Sequence, residues 1–134
     1  MTRVRPTHTQ DGRRIEVSHV LEAPAADAWE LLVDTTEWPF WSPLISGVES
    51  SDRRIRTGTT GRVRLSGVWT SFRITTCADR RWTWTLSRLP GATHRVDDLE
   101  RNRCRIAFEL PVYAAGSVPV TLRALENLEV RLVE

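Results

Sequence analysis

Between Leu21 and Trp41 the chain reads LEAPAADAWELLVDTTEWPFW. This run constrains the fold more than any other, because a strand ending, a proline-started helix and a tryptophan-rich turn follow one another without a spacer. Pro24 has no N–H to lose and fits a first helical turn. Behind it, Ala25, Ala28, Trp29, Leu32 and Val33 recur at helical intervals and predict a helix with one apolar face. Trp38-Pro39-Phe40-Trp41 then sets three aromatics in a short helix or turn that leans over whatever the first helix packs against. Such a chain encloses a pocket rather than displaying an active-site motif.

Elsewhere the period is two. Ile15, Val17, His19 and Leu21 fall on one face of a first strand, with Arg14, Glu16 and Ser18 on the other. A short strand is predicted near Gly47 to Ser50, followed by a polar loop to Thr57. Val63 and Leu65 alternate with arginines, Ser66-Gly67 makes a tight turn, and Phe72 and Ile74 lie on the inner face of the returning strand. Trp82, Trp84 and Leu86 point inward on the next, and His94 and Val96 on the one beyond the Leu89-Pro90-Gly91-Ala92 turn. Cys104, Ile106, Phe108 and Leu110 share a face on the last. This is an antiparallel meander with one covered face. From Ser117 the period changes: Val118, Leu122, Leu125, Leu128 and Leu132 predict a closing helix, with Ser117 available as N-cap and Pro119 tolerated in the first turn.

The order and spacing of these pieces resemble the START-like (SRPBCC) superfamily, and most closely its small bacterial polyketide cyclase/dehydratase-type branch. The resemblance is carried by Ile15 to Pro24, Ala28 to Asp34, Trp38 to Trp41, Gly58-Thr59, Trp82-Thr83-Trp84, His94-Arg95-Val96 and the C-terminal helix. It implies an α+β helix-grip fold, in which a curved antiparallel sheet wraps a C-terminal helix and leaves an apolar cavity between them. It implies no particular reaction, since folds of this kind host carriers, sensors and enzymes. Together with the inward alternation it nominates as ligand-binding residues Trp38, Trp41, Val63, Leu65, Phe72, Ile74, Trp82, Trp84, His94, Val96, Ile106, Phe108, Leu122 and Leu125.

A length of 134 residues suits one ligand-binding domain over 14–134, preceded by a flexible arm over 1–13. That arm has no apolar core of the signal-peptide kind, so a cytoplasmic location is expected. The most apolar stretch, Ile106 to Val120, is interrupted by Glu109, Pro111, Gly116 and Pro119, which argues against a membrane span. All nineteen basic residues are arginine, which excludes lysine Schiff-base chemistry. A net charge of +2 gives no electrostatic footprint for nucleic acid. Arg62, Arg64, Arg73, Arg81, Arg95, Arg103 and Arg105 alternate with apolar positions and read as the solvated face of the sheet. Cys77 and Cys104 lack metal-ligand spacing and read as buried, inert thiols. His8, His19 and His94 are too scattered for a zinc signature, and no metal or cofactor is expected.

His94 and His19 are the inward-facing side chains that titrate near neutrality, and so the candidates for an acid/base role or a polar anchor. The neighbours available in sequence are Tyr113, Asp98 and Glu109. Glu109 falls on the outward face and Tyr113 beyond the last strand. The residues therefore favour binding of a small hydrophobic molecule, aromatic or lipid-like, over catalysis. A cyclase/dehydratase-type enzyme with a pocket histidine is the alternative, and an interaction module using the arginine-rich face is the third. Ligand identity, turnover and oligomeric state are left open by the sequence.

Overall fold

Residues 1–133 are described by a computed structural model. Strands β1 (Thr2–Thr9) and β2 (Gly12–Leu21) lead into helices α1 (Ala25–Val33) and α2 (Trp38–Trp41). Strands β3 (Ile45–Ser50), β4 (Thr60–Leu65), β5 (Val68–Ala78), β6 (Arg81–Leu86), β7 (Leu89–Pro90), β8 (Thr93–Glu100) and β9 (Arg103–Pro111) follow. A 3₁₀ segment, Val112–Ser117, then feeds α3 (Val118–Val133). The strands form one sheet in the order β1-β2-β9-β8-β6-β5-β4-β3, with the two-residue β7 beside β6. All pairings are antiparallel. The sheet curls around α3 in the helix-grip arrangement.

Local chemistry sets the connections. Ser66 and Gly67, with φ of 46° and 85°, make the two-residue turn between β4 and β5 in the left-handed geometry that matches strand twist. The carbonyls at the end of α1 lack partners in their own helix. The indole N–H of Trp38 donates to Leu32 O at 2.9 Å and that of Trp41 to Leu31 O at 3.1 Å. These two bonds fold α2 back onto α1, which is why the tryptophans follow the helix so closely.

Trp38 is fully buried. It stacks on Trp82 at 5.4 Å between ring centroids and meets Phe72 and Trp84 at 5.6 and 5.5 Å. Val17, Leu21, Leu32, Ile74, Ile106, Leu125 and Leu128 complete the core. In α3, Leu125 and Leu128 are buried as the helical period requires, while Leu122 is only half-buried. Ser117 does not cap α3 as expected. Its hydroxyl donates backwards to Ala114 O at 2.7 Å.

Two expectations are corrected. The segment read as a flexible arm is an edge strand, because Thr2 to Thr9 pair with His19 to Gly12 along the length of β2. Polar residues on both its faces hid it, yet they are what hold it: Arg3 Nη2 and Arg5 Nε donate to Glu16 Oε2 at 3.2 and 2.9 Å. Nor is the arginine-rich face uniformly solvated. Arg62, Arg64 and Arg73 are exposed, but Arg95 and Arg81 lie over two buried carboxylates. Arg95 reaches Glu16 Oε1 at 2.9 Å and Glu109 Oε2 at 2.5 Å. Arg81 holds both oxygens of Glu109 at 3.0 and 2.8 Å. Glu16 and Glu109 are each only 2% exposed. Burial raises the Glu16 pKa, but the hydrogen bonds from Arg5 and Arg95 outweigh it and bring the carboxyl down to about 2.

Candidate functional site

A cavity of about 270 Å³ lies between the concave face of the sheet and the first half of α3. Trp38 and Trp41 of α2 close one side, and the chain from Ser42 to Ile45 continues that wall. Trp82, Trp84 and Leu86 of β6, His94 of β8, and Phe108, Leu110 and Pro111 of β9 form the sheet side. Pro90, Gly91 and Ala92 border it next to β7. Tyr113, Ala114 and Ser117 from the 3₁₀ segment, with Val120, Thr121 and Ala124 of α3, face them.

Of the residues nominated by sequence, Trp38, Trp41, Trp82, Trp84, His94 and Phe108 line this cavity. The other nominations are placed elsewhere. Val63, Phe72, Ile74, Val96, Ile106 and Leu125 are buried in the core, and Leu65 and Leu122 are half-buried against it. The physical reason is that alternation tells inward from outward but not which end of the inner face is filled. At the end held by β3, β4 and β5 the aromatic cluster fills the space. The cavity lies where β6, β8 and β9 face α2, the 3₁₀ segment and the start of α3. Sequence reasoning missed the wall outside the long strands, from Ser42 to Leu44, Pro90 to Ala92 and Tyr113 to Ser117. The prolines and glycine there mark loops, but nothing in a local pattern brings those loops together.

His94 is the central polar group. Its ring stacks on Trp82 at 3.8 Å with 9° between planes and meets Phe108 at 4.8 Å. Its Nδ1 is buried without a hydrogen-bond partner. Burial pushes its pKa down from 6.5 to about 3, so the imidazole is neutral at physiological pH. A base of that strength is far from the operating pH at which proton transfer is efficient. Two of the hydroxyls lining the cavity are engaged with backbone: Ser117 with Ala114 O and Thr121 with Ser117 O, at 2.7 and 2.9 Å. The Tyr113 hydroxyl donates to Pro90 O and so ties the 3₁₀ segment to β7 across the cavity mouth.

His19 is not part of this wall. It sits between β1 and α3, with Nδ1 2.6 Å from Thr2 Oγ1 and Nε2 3.1 Å from Glu129 Oε2, the latter without hydrogen-bond alignment. Asp98 is exposed, and Glu109 belongs to the ion network on the convex face. Among the described residues no cluster of histidine, cysteine and carboxylate side chains could hold a metal. Cys77 and Cys104 are both free thiols. Burial raises both, Cys104 to about 11, which keeps them protonated and unreactive.

The neutral His94 has a consequence for acid stability. The unfolded chain takes up the His94 proton near pH 6.5 and the folded chain only near pH 3. In that window the unfolded state binds more protons, so stability falls as the pH drops below 6.5. Below pH 4.5, Glu16 adds to the loss, because its folded pKa is depressed and it is protonated first in the unfolded chain. Urea unfolding at pH 7, 6 and 5 should show a declining midpoint for the native protein and a flatter one for His94→Gln. Equal slopes for the two would contradict a buried neutral imidazole.

A family model described as polyketide cyclase / dehydrase and lipid transport matches residues 12–129. Solved structures of similar fold include the protein XoxI from Bacillus cereus, with TM-score 0.71 and 14% identity over 90% of this chain and 96% of that one. A START superfamily protein from Mycobacterium smegmatis superposes with TM-score 0.67 and 16% identity, over 89% of this chain and 96% of the other. The di-domain ARO/CYC BexL from the BE-7585A biosynthetic pathway gives TM-score 0.68 and 16% identity, over 88% of this chain and 45% of that one. At these identities the likeness concerns the fold. No curated protein matches the sequence.

Proposed function

We propose that this chain, which belongs to the polyketide cyclase, dehydrase and lipid transport family, binds a small, uncharged, largely apolar molecule in the cavity beside His94. The observation that carries this reading is a cavity walled by four tryptophans and Phe108 around one neutral histidine. A charged ligand group would enter unpaired, and desolvation disfavours that strongly. A dry cavity of about 150 Å³ accepts benzene. The 270 Å³ available here therefore suits a molecule of one to two rings. Carriage fits the wall better than turnover, because among the described residues no carboxylate lines the cavity beside His94 to share a proton with it.

The arginine-rich face supports the interaction reading poorly, since Arg81 and Arg95 are spent on Glu109 and Glu16. The enzyme reading keeps one favourable observation, the unpartnered Nδ1 of His94. A single variant separates the two. His94→Gln keeps a hydrogen-bonding group of similar reach but removes the titration. If the protein is a carrier, the affinity for 2-naphthol, measured by calorimetry, should change by about tenfold or less, equivalent to about 1.4 kcal/mol. If it is an enzyme, turnover of any molecule co-purifying with the protein should fall by about a hundredfold or more with binding kept. Native mass spectrometry of the purified chain would supply that molecule.

A further inference from the structure

The β6 ladder is broken beside the cavity, and the break has a polar pocket on its other side. β6 pairs with β8 at Arg81↔Arg95 and Trp82↔His94, then with β7 at Thr85↔Pro90 and Leu86↔Leu89. Between these pairings Gly91, Ala92 and Thr93 stand opposite Thr83 and Trp84, and a backbone bond from Gly91 N to Trp84 O at 2.9 Å spans the gap. Extra residues on one strand loosen a ladder and bend it. Thr83, Thr85 and Thr93 alternate to the convex face, the reverse of Trp84 and His94. There they border a second pocket of about 320 Å³ with Arg14. Trp84, Pro90 and Gly91 line both pockets.

We propose that Trp84, seated on Gly91, is the plug that separates the two pockets and sets the maximum size of the ligand. This rests on the binding reading above and adds what limits it. Gly91 is what lets the indole lie in the break: a Cβ there would stand 2.7 Å from Trp84 Cδ1 and closer still to Nε1. The seated position has a defect. Trp84 Nε1 is buried without a hydrogen-bond partner, an unfavourable state for an indole N–H. The plug is therefore held by packing against Trp38, Phe72 and Trp82 and not by a polar bond, unlike Trp38 and Trp41, whose N–H groups are both satisfied. With the indole displaced, the apolar chamber and the threonine-lined pocket join, and a longer molecule with a polar tail can thread the sheet.

Calorimetry with 2-naphthol and the four-ring 1-hydroxypyrene tests this on the native chain, Trp84→Phe and Gly91→Ala. Trp84→Phe removes the fused ring and the N–H while keeping an aromatic in the cluster; Gly91→Ala keeps the indole but unseats it. The native chain should bind 2-naphthol and discriminate against hydroxypyrene by about tenfold or more, the scale on which a closed pocket rejects excess size. Either variant, once near-ultraviolet circular dichroism shows it folded, should reduce that discrimination, read as the ratio of the two affinities, by about tenfold, whatever the change in 2-naphthol affinity itself. Unchanged discrimination in a folded variant overturns the plug and leaves the binding reading intact. Failure of the native chain to bind either probe overturns both. If neither variant folds, native protein carrying 5-fluorotryptophan decides: saturating hydroxypyrene should move the resonance of Trp84 more than saturating 2-naphthol does, with Trp69 as the reference outside the cavity, and an equal or smaller shift overturns the plug.

Discussion

Replacing Arg95 by methionine is expected to destabilise the fold by about 3 kcal/mol, read from urea unfolding at pH 7. The side chain bridges Glu16 at 2.9 Å and Glu109 at 2.5 Å, both only 2% exposed. Removing one partner of a buried ion pair is costly because the remaining charge is left without compensation. Here the loss is held to the lower end of the usual range, since Arg81 still grips Glu109 and Arg3 and Arg5 still grip Glu16. Methionine keeps the apolar stem that covers the sheet, so the loss reports the guanidinium and not the packing. Lysine should not restore it, because a point charge cannot serve two carboxylates with the fork that Arg95 uses. Adding Glu16→Gln to Arg95→Met should recover part of the loss, because without Arg95 the buried Glu16 keeps only the more exposed Arg3 and Arg5 as partners. A loss below about 0.5 kcal/mol for Arg95→Met would place the pair with ordinary surface ion pairs.

The same network shows what a sequence conceals. Alternation of arginine with apolar residues marks which side of a strand faces out, and on that it is right for Arg81 and Arg95. Whether an outward residue is solvated depends on neighbours from other strands. Arg95 from β8 and Glu109 from β9 meet across consecutive strands, but Glu16 comes from β2, adjacent to β9 in the sheet and 79 residues from Arg95 in the chain. Strand β1 was hidden for the same reason, being a strand whose partner is ionic and not apolar. What alternation could show, it showed well: Val17, Leu21, Ile74, Trp82 and Ile106, all read as inward, are at most 1% exposed. The cavity was half legible. Its tryptophan wall follows from inward alternation and from the run at Trp38, but its other wall is made of Pro90 to Ala92 and Tyr113 to Ser117. Those segments meet because β7 stops after two residues and β9 hands over to a 3₁₀ segment, events set by tertiary closure. Tyr113 was correctly placed beyond the last strand, and that position is what puts it at the mouth.

Leu125→Ala is expected to cost about 2 to 5 kcal/mol, the range for truncating a leucine in a core that relaxes only partly. Leu125 is 2% exposed and belongs to the core cluster, one residue beyond Ala124, which lines the cavity. The two neighbours on α3 thus serve different purposes: Leu125 holds the helix in the sheet, and Ala124 with Thr121 presents a surface to the chamber. The distinction makes a measurable pair of outcomes. Leu125→Ala should lower the urea midpoint strongly while changing 2-naphthol affinity, measured where the variant is folded, by less than about threefold. Ala124→Leu should do the opposite. Ala124 is buried, 4% exposed, but borders the cavity, so a larger side chain there can enter the chamber with little overpacking strain, while the chamber shrinks and affinity falls by about tenfold or more. A stability loss below about 0.5 kcal/mol for Leu125→Ala would mean that α3 does not grip the sheet. Unchanged affinity in Ala124→Leu would mean that the ligand lies elsewhere than against α3, and the wall around Trp41 and His94 would have to account for binding alone.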